Sequence, residues 1–176
     1  MQTIVTHGDV KILQYFNISE KIPYHSKFTG YHTGVDIECK EVYSAFPGTV
    51  ILVNRPDTKT YTVIVQYNSN HAFAYCNLKA PAVEVGAQVD TDDLIGTCNK
   101  YVHVEYLNKS QTNRFRVMLV NQMFYKQDPL DILLNGYDSL INYSSDVAVS
   151  QSFLRHVKAD EVEEGSAEDM EDDYGS

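Results

Sequence analysis

No apolar run in this chain approaches the ~18–20 residues that a membrane-spanning helix requires, so no span is expected. Cysteine is scarce and odd in number. Cys39, Cys76 and Cys98 lack close metal-type spacing, which argues against a disulfide framework or a zinc knuckle and leaves buried thiols as the expectation. The opening MQTIVTHGDVKILQYF has neither a basic start nor a compact apolar stretch before a small-residue cleavage site. It does not read as a secretion signal, and synthesis in the cytoplasm is expected. Tryptophan is absent, and the thirteen tyrosines are expected to serve mainly in packing.

What is present fits one domain, since chains of 176 residues rarely split into two. The net charge of −10 is unevenly spread. From Asp160 onward, DEVEEGSAEDMEDDYGS holds nine Asp/Glu and no Lys/Arg, which leaves fifteen acids against fourteen bases in the rest of the chain. Such a run buries too little apolar surface to offset its ordering entropy, so residues 160–176 are expected to be a disordered acidic tail. Truncation after Lys158 should then leave the body intact. A second reading makes the tail a peg for a basic groove on a partner. Nucleic acid is excluded as a partner, because this end repels phosphate and no basic patch compensates.

Between Val35 and Leu107 short period-two runs are punctuated by turn residues, which predicts strands paired in hairpins. Tyr61–Tyr67 is rich in β-branched and aromatic residues, Asn68-Ser69-Asn70 turns the chain, and His71–Cys76 returns as its partner. Pro47-Gly48 precedes the strand Thr49–Val53, and Arg55-Pro56-Asp57 closes it. Gly86 and Gly96 punctuate Val83 to Ile95, and Tyr101–Leu107 is a final core strand. After Asn108 the texture changes. Asp128-Pro129-Leu130 opens a short helix that Asn135-Gly136 stops, and a second helix is expected around Ser145–Val157.

The chemistry-bearing residues are histidines and carboxylates. In GYHTGVDIE, His32 and Asp36 are separated by a glycine-containing triplet that reads as a loop entering a strand. In YVHVEYL, the period of two puts Tyr101, His103 and Glu105 on one face and Val102, Val104 and Tyr106 on the other. Two imidazoles and a carboxylate with one open position form the ligand set of a catalytic zinc site.

The stretch YHTGVDIECKEVYSAFPGTVILV resembles the lysostaphin/LytM-type zinc metallopeptidases, in which a His-x-Gly-x-Asp segment precedes an Ala-x-x-Gly-x-Val turn, here Ala45 to Val50. The hairpin that follows, the Val-x-x-Gly run from Val83, the strand YVHVEYL and Asp128-Pro129-Leu130 resemble four further pieces of that family in the same order. The resemblance spans about residues 20–135. It implies a mainly β fold, an antiparallel β-sandwich or open barrel followed by short C-terminal helices. The implied organisation is a peptidase-like domain over 1–135, a helical extension over 136–159 and the tail over 160–176.

The resemblance also implies zinc as cofactor and His32, Asp36 and His103 as its ligands. Two further histidines of the family are missing: Asn77 stands in the Tyr-x-His-Leu segment, and Tyr101 replaces the first histidine of the last strand. These groups handle protons on the metal-bound water or stabilise the oxyanion, and a positioned acid or base is worth ~10²–10⁴ in rate. Asparagine cannot shuttle a proton, and a tyrosine with pKa near ~10 is a poor base at neutral pH. Three residues are candidate substitutes. His71 lies ~20 Å along the strand from Asn77, His25 sits in a loop of no evident placement, and Glu105 either orients His103 or has no chemical role.

Three functions follow from these residues. A degenerate domain would serve as a structural or binding part of a larger protein assembly, of the kind found in phage tails, baseplates and related injection machines, with a virion as its location. An active zinc endopeptidase would cut the peptide cross-links of peptidoglycan. A lipoyl- or phosphoryl-carrier would need a lysine in a tight hairpin or a histidine pair, neither of which is evident.

Overall fold

In the computed structural model, residues 1–18, 31–136, 170–172 and 174 are described. The spine is β8, Leu94–Asn108, a strand of 15 residues. Along one edge it pairs antiparallel with β6, His71–Pro81. Along the other edge three shorter strands follow one another: β3 (Glu41–Tyr43), β2 (Val35–Glu38) and β10 (Gln122–Gln127). Beyond β6 the sheet continues through β5 (Tyr61–Gln66) and β4 (Gly48–Asn54) to β7 (Gln88–Val89). β1 (Lys11–Gln14) pairs with β2. The result is the expected mainly β architecture, an open sheet that does not close into a barrel.

The β5–β6 hairpin shows why these residues take this form. Val63, Val65, Phe73 and Tyr75 enter the main core, whereas Ile64, Ala72, Ala74 and Cys76 enter a second apolar cluster. Burial on both faces selects β-branched and aromatic residues throughout. The connecting turn is held by Asn68, whose Oδ1 accepts hydrogen bonds from the backbone N–H groups of Asn70 (2.9 Å) and His71 (3.0 Å). Asp57 stabilises the turn after β4 in the same way, accepting from the amides of Lys59 and Thr60. The three cysteines form no disulfide, although the Cys39 and Cys98 sulfurs lie 3.9 Å apart.

Several sequence-based expectations require correction. Gly96 does not end a strand. It lies inside β8, where a Cβ would stand 2.6 Å from the Ala80 carbonyl oxygen, so glycine is needed for close strand approach. Between Asn108 and Asp128 the chain forms a hairpin of β9 (Phe115–Leu119) and β10. Its two-residue turn, Val120-Asn121, has φ of 48° and 59°, the geometry that usually calls for Asn-Gly. A valine there conceals the turn from sequence reading. The short helix α1, Leu130–Asn135, follows as expected; Asp128 Oδ1 accepts from the Leu130 amide at 3.0 Å, and Gly136 ends it with φ of 74°. The second expected helix, Ser145–Val157, lies outside the described residues.

Within the stretch expected to be disordered, residues 170–172 and 174 are ordered. Met170–Asp172 form β11, which pairs in parallel with β9 and is the one parallel pair in the described sheet. Tyr174 is fully buried in the second apolar cluster beside Ile64, Val117 and Phe124. One aromatic ring supplies the apolar area that the carboxylates around it lack.

Candidate metal centre

His32 is placed by a two-way backbone bridge to Asn17, at 2.8 and 2.9 Å. Gly34 then lets the chain pass directly over β8. A Cβ there would meet the Val104 carbonyl oxygen at 2.4 Å and the His103 ring at 2.9 Å. Two residues on, Asp36 enters β2 in register with His103 of β8. Local sequence thus brings a loop histidine, a strand carboxylate and a distant strand histidine to one point. Their ligand atoms all lie within 4.8 Å of one another.

The contacts are specific. Asp36 Oδ1 is 2.7 Å from His103 Nδ1 and 3.2 Å from His32 Nε2. The other nitrogen of His32, Nδ1, lies 2.7 Å from the Tyr15 carbonyl oxygen, which can only accept a hydrogen bond. That contact assigns a proton to Nδ1 and leaves Nε2 as the nitrogen that faces Asp36 and could ligate a cation. The donor set therefore fits a divalent metal such as zinc, with the Tyr15 carbonyl orienting His32 and Glu105 orienting His103.

Glu105 is the centre of a buried network. Its Oε2 lies 3.0 Å from His103 Nε2 and accepts a hydrogen bond from Thr33 Oγ1 at 2.7 Å. Lys126 Nζ, fully buried, is 2.9 Å from Oε1, to which the Tyr174 hydroxyl also donates. Burial would raise the Glu105 pKa, but Lys126, His103 and the Tyr174 hydroxyl together hold it well below the ordinary range. Burial likewise opposes charge on His103 and on Asp36. The flanking carboxylates nonetheless bring His103 up to about 9, and the two imidazoles bring Asp36 below its usual value.

The alternation expected along Tyr101–Tyr106 holds. His103 and Glu105 touch, while Val102, Val104 and Tyr106 are fully buried in the main core. Asn77 occupies an irregularity in the β6–β8 ladder with φ of 68°, and its Nδ2 donates to the Tyr101 carbonyl oxygen at 2.9 Å. The two positions where the resemblance places proton-handling groups therefore adjoin. Burial, and after it the charge of Asp36, raises the pKa of Tyr101, so its hydroxyl stays protonated and can only donate to an oxyanion. His71 is no substitute: it is buried, stacks on Tyr106 and has its Nδ1 2.5 Å from the Tyr106 hydroxyl, and burial brings its pKa down to about 4. His25 lies outside the described residues. Sequence reading missed Thr33, Lys126 and Tyr174, and the one signal for Tyr174 was an aromatic residue inside an acidic run.

Residues 30–114 match the model of peptidase family M23. This stretch of the chain is similar to the M23 peptidases. No curated protein is significantly similar in sequence. Among solved structures, the M23 fold of this chain is similar to the catalytic domain of lysostaphin from Staphylococcus simulans, with 19% identity and a TM-score of 0.53 over 69% of this chain and 90% of that one. LytU is similar at 19% identity and a TM-score of 0.52, over 74% and 90%. A chain of the SpoIIQ–SpoIIIAH pore-forming complex gives 16% identity and a TM-score of 0.56, over 82% and 100%. This chain spans about half of lysostaphin as a whole, 49%, and 33% of a zinc-containing peptidase from Vibrio cholerae.

Proposed function

We propose that this M23 domain holds a divalent metal, zinc by its donor set, at His32, Asp36 and His103, and serves as a structural or binding part of a larger assembly rather than as an efficient hydrolase. The observation that carries this reading is the state of the two proton-handling positions: the Asn77 amide is committed to the Tyr101 carbonyl, and Tyr101 presents a hydroxyl held protonated. Bound zinc would supply a Lewis acid and an acidified water. Neither neighbouring side chain could accept that water's proton at neutral pH, which removes ~10²–10⁴ of the rate.

Other proteins are then the partners. The occurrence of this fold in the SpoIIQ–SpoIIIAH complex supports a role in protein assembly. Within the same reading we place the chain in a phage tail, baseplate or related injection machine, on the analogy that hydrolase-like modules of this family sit at such tips. Peptidoglycan would be the surface met there.

Calorimetric zinc titration paired with a labelled cell-wall digestion assay tests the proposal. One zinc per chain, lost in Asp36→Ala, with hydrolysis at background, is the expected result. Zinc-dependent cleavage abolished by Tyr101→Phe would establish the alternative, an active endopeptidase using the tyrosine hydroxyl toward the oxyanion.

A further inference from the structure

We propose that the outer edge of β9, together with the pocket over Glu105 and Lys126, is a peptide-binding site for an extended acidic segment bearing a tyrosine, and that the chain's own C-terminus fills it. This inference stands on the contacts of Tyr174 and β11 and holds whether or not the metal centre catalyses hydrolysis.

Three features of the docked segment belong to a recognition site. β11 adds a parallel strand to a free sheet edge, with Met170 opposite Phe115 and Asp172 opposite Val117, which is how extended peptides are bound by strand addition. Tyr174 is buried completely, its ring 4.9 Å from the fully buried Lys126 ammonium, a cation–π arrangement strengthened by the absence of water. Its hydroxyl donates to Glu105, and its backbone carbonyl accepts from Asn54 Nδ2 at 2.7 Å. Sheet edge, aromatic pocket and backbone clamp thus all select the same short sequence.

The receptor is costly to leave empty. Ile64, Val117 and Phe124 share the Tyr174 cluster, and Glu105 and Lys126 would lose a hydrogen bond and an aromatic face. Occupation in cis follows from tethering. Residues 137–169 join Gly136 to β11, and tethering over that length of chain gives an effective concentration on the order of millimolar. An identical peptide in solution would compete only when the tethered copy is weakened. The occupant also reaches the metal centre, since Glu105 bonds Tyr174 through one oxygen and His103 through the other.

The test uses the full chain and a synthetic fluorescent peptide of residues 168–176. Tyr174→Ser should bind the peptide with Kd on the order of 10–100 µM, while the wild-type chain, already occupied, binds at least about tenfold more weakly. Hydrogen exchange should show outer-edge amides of β9 protected in the wild type and released in Tyr174→Ser, with the β5–β6 amides unchanged. If Tyr174→Ser fails to fold, Asn54→Ala, which removes one clamp at a half-exposed position, should release the same β9 amides. Equal peptide binding by wild type and Tyr174→Ser, no binding by either, or unprotected β9 edge amides in the wild type would overturn the proposal.

Discussion

Asp36 and His103 face each other across β2 and β8 as a registered pair, with Oδ1 2.7 Å from Nδ1. Because the pair is fixed by strand register, a metal held there cross-links the N-terminal loop carrying His32 to the spine of the sheet. Binding to the folded state alone stabilises it by about 2.7 kcal/mol at a hundredfold excess over Kd, or roughly 5–10 °C for a body of this size. Chelation should lower the melting temperature of zinc-loaded protein by that amount, as read by calorimetry. The Asp36→Ala variant should melt at the same temperature with or without zinc.

Much of this centre was legible because its signals are local. His32, Gly34 and Asp36 fall within five residues, and His103 sits in a strand whose alternation can be read directly. The β5–β6 hairpin was legible for the same reason, with its polar turn at Asn68–Asn70. The β9–β10 hairpin was hidden because Val120 takes a positive φ that sequence rules assign to glycine or asparagine. The docking of Tyr174 was hidden because composition is an average over a segment, whereas binding can depend on one ring. Thr33 and Lys126 could be recognised only once the fold placed Glu105 beside them.

Gly34 should tolerate no side chain. An added Cβ would lie 2.4 Å from the backbone oxygen of Val104, which no rotamer change can relieve, and 2.9 Å from the His103 ring. Gly34→Ala should cost about 2–4 kcal/mol of stability, in the range of overpacking and strain. It should also weaken zinc binding in the titration, because the clash displaces the loop that carries His32 from β8.

Lys126→Met should destabilise the protein by about 3–5 kcal/mol in urea unfolding, because it leaves the Glu105 carboxylate buried without its ammonium partner. Adding Glu105→Gln should recover part of that loss, since the charge left uncompensated is removed with it. A double-mutant cycle measures the coupling, and strictly additive effects would show that the pair acts independently.

His71 should make the fold acid-sensitive. Its folded pKa is about 4 because burial disfavours the imidazolium, against an ordinary value near 6.5. Below pH 6.5 the unfolded chain takes up a proton that the folded chain refuses, so stability is full above that pH and falls as pH drops toward 4. The loss by pH 4 is on the order of 3 kcal/mol. Chemical denaturation between pH 7 and 4 should show this slope, and His71→Gln should flatten it while lowering stability at pH 7 through the lost contact with Tyr106.

If the proposed lack of proton-handling groups is what limits hydrolysis, Asn77→His with Tyr101→His should raise it. The backbone permits the first change, since histidine is among the residues that tolerate a positive φ such as the 68° at position 77. The second places an imidazole on the His103 face of β8, two residues from the proposed ligand. Relative to wild type, dye release from labelled cell walls should rise at least ~100-fold in the double variant, with each single variant well below it. Asp36→Ala in the same background should return release to background by removing the metal. A double variant that binds zinc normally yet stays inactive would locate the block elsewhere on this face, where Tyr174 covers Glu105, and adding Tyr174→Ser would then be the variant that releases activity.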